Sequence, residues 1–252
     1  YKKKKLKQKI IVIGNEKLLK NQLKSLNYTI AINKISKIEN SKHNIINLIN
    51  INFEYSKIFS KISNKSNIYI EDCFKIALKI LKKINYKGVL INGPVSKKNF
   101  LKNKYLGITE YLSHKTNSKN EVMLIYNDKL SVTPITTHIP LKHVVKKINK
   151  KVIIKNIIKI NNFYTKKLNK IAKIAILGVN PHCETIDNYS EEKEIILPAI
   201  KYLKKNKINI DGPFPADTFF MEKNLKKYNV VVGMYHDQVL TPIKTIYKFN
   251  AV

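Results

Sequence analysis

Short β-branched apolar runs, set between longer stretches of helical periodicity, recur along this 252-residue chain and restrict it to an α/β architecture. Ile174-Ala-Ile-Leu and Val230-Val-Val have the length and composition of buried strands. In the second half three such runs lead straight into a histidine: Val132 to His138, Ala175 to His182 and Val230 to His236. Ligands of open α/β sheets collect at the carboxyl ends of strands, so three imidazoles at three strand ends can meet one metal ion. His43, His114 and His143 lack that setting.

The rest of the chain reads in the same alternation. Lys9 to Gly14 predicts a strand and Asn15 to Leu26 a helix, with further strand-like pieces near Tyr28 to Ile32 and Ile45 to Ile51. From Cys73 a stripe of Ile76, Ala77, Ile80, Leu81 and Ile84 predicts a helix, released by Gly88 into a strand at Val89-Leu-Ile. Glu121 to Tyr126 and Lys129 to Pro134 flank Asn127-Asp128 and predict a hairpin, hence a mixed sheet. Pro140 opens a helix to about Asn149, and Val152 to Lys170 continues with helical spacing. Ser190, Glu191 and Glu192 start a helix that Lys201, Lys204 and Lys205 close.

Composition excludes several classes of protein. An apolar content of 44% rules out wholesale disorder, and no apolar run approaches the length of a membrane span. The Lys-rich start lacks a signal-peptide apolar region, and two cysteines without metal-finger spacing fit reduced thiols, so a cytoplasmic chain is expected. Against 17 acidic residues stand 48 basic ones, a net charge of +31. Every one of the basic residues is lysine. Nucleic-acid readers use the planar fork of arginine, so specific nucleic-acid binding is not expected, and anionic small molecules are the partners this charge attracts.

Three imidazoles without an obligatory carboxylate favour zinc or a similar ion, leaving positions open for substrate. Asp217, in Pro215-Ala-Asp-Thr, fits either a helix N-cap or a proton acceptor, and Asp237 fits a carboxylate behind His236 or the proton acceptor itself. Gly93-Pro-Val-Ser-Lys resembles neither a Walker loop nor a dinucleotide fingerprint, so any nucleotide binds in another manner.

Taken in order, Asn92-Gly-Pro-Val-Ser-Lys, Gly107-Ile-Thr-Glu-Tyr, Thr136-Thr-His-Ile-Pro-Leu, Gly178-Val-Asn-Pro-His, Gly212-Pro-Phe-Pro-Ala-Asp-Thr and Met234-Tyr-His-Asp-Gln resemble the motifs of the 4-hydroxythreonine-4-phosphate dehydrogenase family. The resemblance implies a fold like isocitrate and isopropylmalate dehydrogenases, with two α/β subdomains at about 1–104 and 105–252, both incomplete in a chain truncated at each end. It implies NAD-dependent oxidation and decarboxylation of 4-phosphooxy-L-threonine to 3-amino-2-oxopropyl phosphate in pyridoxal 5'-phosphate synthesis. A divalent metal (zinc, with cobalt or magnesium as alternatives) is implied on His138, His182 and His236, in a homodimer with a shared active site. Thr109 matches the family's substrate-binding threonine and Lys244 its phosphate-binding lysine. Ile108 departs from the pattern, standing where the family usually has histidine. A related phospho-threonate or phospho-erythronate dehydrogenase, or a non-catalytic homologue, is the alternative.

Overall fold

A computed structural model of the chain describes residues 8–101, 104–118, 121–186 and 188–250, apart from the side chain of Phe249. Two compact units divide it, Tyr1–Lys119 and Asn120–Val252. In the first unit three strands, β1 (Ile10–Gly14), β2 (Ile32–Lys34) and β3 (Ile46–Asn50), form a parallel sheet in the order β1-β3-β2. Helix α1 (Glu16–Ser25) leaves β1 through Asn15, whose side chain accepts from the Leu18 N–H and caps it. Helix α2 (Asn64–Lys83) starts at a capping box built by Ser63 and Ser66. Helix α3 (Ile108–Lys115) joins the unit through a small apolar cluster of Phe74, Leu101 and Tyr111, with Ile108 packed against it.

The second unit is three layers around a four-stranded sheet of β4 (Ser131–Thr136), β5 (Ile174–Leu177), β6 (Ile210–Phe214) and β7 (Val230–Tyr235). Its order is β4-β7-β5-β6, and all of these neighbours run parallel. Period-two alternation explains the layers. Ile174, Ile176, Val230 and Val232 face one core, shared with Ile153, Ile157, Ile160 and Tyr164 of α5 (Lys150–Lys167), which follows the short α4 (Val144–Lys147), and with Ala199, Ile200 and Leu203 of α6 (Leu197–Lys205). Ala175, Leu177 and Val231 face the other. There they meet Phe219 of α7 (Ala216–Phe219), Tyr228 just past α8 (Glu222–Lys227), and Val239 and Ile243 of α9 (His236–Tyr247).

Three sequence expectations come out differently. The predicted hairpin reduces to a single antiparallel bridge between Ile125 and Val132, while β4 takes β7 as its parallel partner. A strand has two edges, so the β7 ladder and the Ile125 bridge coexist on β4, with Ile125 and Val132 exchanging backbone hydrogen bonds at 2.9 and 3.0 Å. Val89-Leu-Ile is not a strand: Val89 and Ile91 are 86% and 87% exposed, because no neighbouring strand among the described residues offers it hydrogen bonds. The strand foreseen at Tyr28 to Ile32 begins only at Ile32.

Candidate active site at the carboxyl ends of the second sheet

Strand β7 lies between β4 and β5, and the chain reaches it only after crossing back from β6 at the sheet edge. Such a reversal of strand order opens a crevice at the carboxyl ends, where side chains from neighbouring strands are brought together. Thr136 closes β4, Tyr235 closes β7 and Leu177 closes β5. The polar residues that follow each of them build the site.

His138 and His236 come together, their ring centroids 5.5 Å apart. Two imidazoles bound to one tetrahedral ion at ordinary metal–nitrogen distances stand about 5 Å apart between centroids, so this spacing fits a shared cation. The Thr136 hydroxyl donates to the Met234 carbonyl at 2.7 Å and ties the two strand ends below the rings. His236 is the first residue of α9, and its Nδ1 lies 2.7 Å from Asp237 Oδ1. With Nδ1–H donating to that carboxylate, Nε2 keeps its lone pair for a ligand. Asp237 thus stands against Nδ1 of the imidazole.

His182 follows β5 and does not complete the group. Among the described residues no three His, Cys, Asp or Glu side chains converge on one point. Its Nδ1 faces Asp217 Oδ2 at 3.7 Å, a charge contact too long for a hydrogen bond. Asp217 is not an N-cap: Pro215 takes that place in α7, and the Asp217 carboxylate accepts from the Thr218 N–H at 2.9 Å. Pro215 has no side-chain acceptor to cap the helix, and Asp217 stands in the first turn with its carboxylate toward His182.

Both His138, at φ 46°, and His182, at φ 54°, occupy the left-handed region, and Cys183 follows at φ 61°. For residues with a Cβ this conformation is strained and persists only where the surroundings hold it. Around His182 the hold is visible. Gln238 of α9 donates to the Gly178 carbonyl and accepts from the Met234 N–H, each at 2.7 Å, linking the segment after β5 to strand β7. Glu192 accepts from the Val179 and Asn180 N–H groups at 2.7 and 2.9 Å. Burial alone would raise its pKa, but these donors and the Asn180 side chain outweigh it and hold the carboxyl below the usual range. A side chain at Gly178 would stand 2.6 Å from Cys183 Sγ, so the loop closes only around glycine.

Thr109 lies in the first turn of α3, after the N-cap Gly107, in the first unit. Lys244 is exposed in the last turn of α9, eight residues beyond His236, which the helical rise converts to about 12 Å along the axis. Glu192 and Gln238 escaped the sequence reading as site residues. Glu192 counted there only as a helix start, although an acidic residue in so lysine-rich a chain was itself a signal.

The sequence belongs with proteins of known class. A family model described as pyridoxal phosphate biosynthetic protein PdxA matches residues 6–252. A 4-hydroxythreonine-4-phosphate dehydrogenase of Sulfurihydrogenibium sp. (strain YO3AOP1) is 35% identical over 243 residues, covering 94% of this chain and 73% of the relative. A D-threonate 4-phosphate dehydrogenase of Pectobacterium atrosepticum is 33% identical over 150 residues, or 59% of this chain and 46% of the relative. The fold is similar to the crystal structure of 4-hydroxythreonine-4-phosphate dehydrogenase from Klebsiella pneumoniae, with a TM-score of 0.77 and 26% identity over 95% of this chain and 76% of that one. Fold and relatives together define an oxidoreductase of the α/β dehydrogenase class. Within that class the chain belongs to the PdxA family.

Proposed function

We propose that this chain is an NAD- and divalent-metal-dependent dehydrogenase that oxidises 4-phosphooxy-L-threonine in pyridoxal 5'-phosphate synthesis. The observation that carries this reading is the His138–His236 pair at adjoining strand ends, spaced for one cation. His138, His182 and His236 are the proposed ligands, with zinc the ion best suited to imidazole donors and cobalt or magnesium as substitutes. When bound, the ion supplies Lewis-acid stabilisation of the oxyanion that forms as the substrate alcohol is oxidised.

The protein's own groups do the rest. Lys244 holds the substrate phosphate as a point charge, and Thr109 donates a hydrogen bond to the substrate. Asp237 or Asp217 takes the hydroxyl proton while hydride leaves the carbinol carbon for a nicotinamide. Oxidation leaves a 3-oxo acid, which loses carbon dioxide and gains a proton to give 3-amino-2-oxopropyl phosphate.

Because His182 pairs with Asp217 apart from the other two rings, a homodimer in which one copy's His182 joins its partner's histidine pair accounts for all three ligands. A cytoplasmic location accords with this biosynthetic role, and no described helix is long and apolar enough to cross a membrane. The Pectobacterium relative favours a second reading, a dehydrogenase of phosphorylated threonate or erythronate. Ile108, packed against the Phe74 cluster where it offers no hydrogen bond, favours a non-catalytic homologue.

NADH formation by the protein with zinc or cobalt separates the three. Turnover of 4-phosphooxy-L-threonine, lost in His236→Ala, is expected. Faster turnover of 4-phospho-D-threonate or 4-phospho-erythronate supports the second reading, and no turnover with any of these substrates and metals supports the third.

A further inference from the structure

Glu192 is 2% exposed and, in a chain with 48 lysines, has no lysine partner among the described residues. Its charge is met by neutral donors instead. One oxygen accepts from the Val179 and Asn180 N–H groups at 2.7 and 2.9 Å. The other accepts from the Asn180 side-chain amide at 2.9 Å and the Ser190 hydroxyl at 3.0 Å. A carboxylate saturated in this way is rigid, because losing any one donor leaves part of a buried charge unsolvated. The position it fixes is Asn180, two residues before His182.

From Asn180 onward the turn has little freedom. Pro181 sets its own φ, the Cys183 N–H donates to the Asn180 carbonyl at 3.1 Å, and the Glu184 N–H donates to the Pro181 carbonyl at 3.0 Å. His182 sits at the crest in the left-handed conformation, its side chain 73% exposed. Packing therefore does not aim this imidazole. Backbone does, and the backbone is anchored by Glu192 and, at Gly178, by Gln238.

We propose that Glu192 is the positioning residue of His182: its buried carboxylate fixes the Val179–Asn180 segment, and through it the strained turn that presents the imidazole to a metal ion. The proposal rests on the reading of His182 as a ligand, and its test separates the two. Zinc affinity of the full chain is measured by competition with a chromophoric chelator, alongside thermal melts of each variant. Glu192→Ala weakens zinc binding by about 10- to 100-fold, the range found when support behind a ligand is removed. Glu192→Gln, which keeps one oxygen for both backbone donors, restores affinity to within about threefold.

A carboxylate that only stabilised the fold would lower the melting temperature and leave the zinc affinity of folded protein unchanged. Should Glu192→Ala fail to fold, Glu192→Asp, whose carboxylate is one methylene short of the Val179 and Asn180 N–H groups, carries the same expected loss. If His182→Ala binds zinc as the wild type does, or the wild type binds none, the ligand reading fails and the positioning role falls with it. If His182→Ala weakens binding while folded Glu192→Ala and Glu192→Asp match the wild type, the ligand reading stands and the role of Glu192 is overturned.

Discussion

Cys73 shows how far its surroundings govern a single residue. Burial in α2 pushes its thiol up to about 11, against which a hydrogen bond with Tyr69 works only in part. A thiol raised in this way is almost wholly protonated at pH 8.5, and only the thiolate reacts. Iodoacetamide labelling of the Cys73 peptide at that pH is expected to run about 100-fold slower in native protein than in urea-unfolded protein. Equal rates in the two states would show that the site does not hold the thiol neutral. The histidines divide along similar lines. That His138, His182 and His236 follow strands is legible from composition, since β-branched runs and a polar successor are local facts. That two of them adopt positive φ is not, because nothing in a histidine announces a conformation that only the surrounding hydrogen bonds enforce. Asp217 shows the opposite error: its type suits an N-cap, yet Pro215 holds that place.

Helix α5 is where periodicity translated most directly into structure. Ile153, Ile157, Ile160 and Tyr164 recur at helical spacing, and all are buried against the second sheet, while Asn149 caps the first turn by accepting from the Val152 N–H at 3.0 Å. Ile157 is fully buried, so Ile157→Ala is expected to cost about 2 to 5 kcal/mol in urea unfolding, whereas the exposed Lys155→Ala changes stability by about 0.5 kcal/mol or less. Similar values for the two would mean that this face does not form the core. Strands were harder to read than helices for a definite reason. A helix satisfies its own backbone, but a strand exists only where another chain segment offers donors and acceptors. Hence Val89-Leu-Ile, an apolar run of the same length as Val230-Val-Val, leaves Val89 and Ile91 exposed, while Val230-Val-Val is the spine between β4 and β5.

For the molecule as a whole, a net charge of +31 on 252 residues means that folding concentrates repelling lysines, and even the ion pairs seen, such as Lys20–Glu16 and Lys204–Asp211, use few of them. Mobile ions screen that repulsion over about 10 Å at 0.1 M salt, so the thermal midpoint should rise between low and moderate sodium chloride. A midpoint that falls or stays constant would show that the lysines are spaced too widely to oppose folding. The main helices, the alternation of strand and helix, and the residue types of the motifs were readable along the chain, because period and residue type are properties of neighbours in sequence. The order β4-β7-β5-β6, the meeting of His138 with His236, the bridge from Gln238 to Gly178, and the burial of Glu192 were not. Each joins residues from separate elements, and a contact of that kind is chosen by how whole layers pack, which no local pattern encodes.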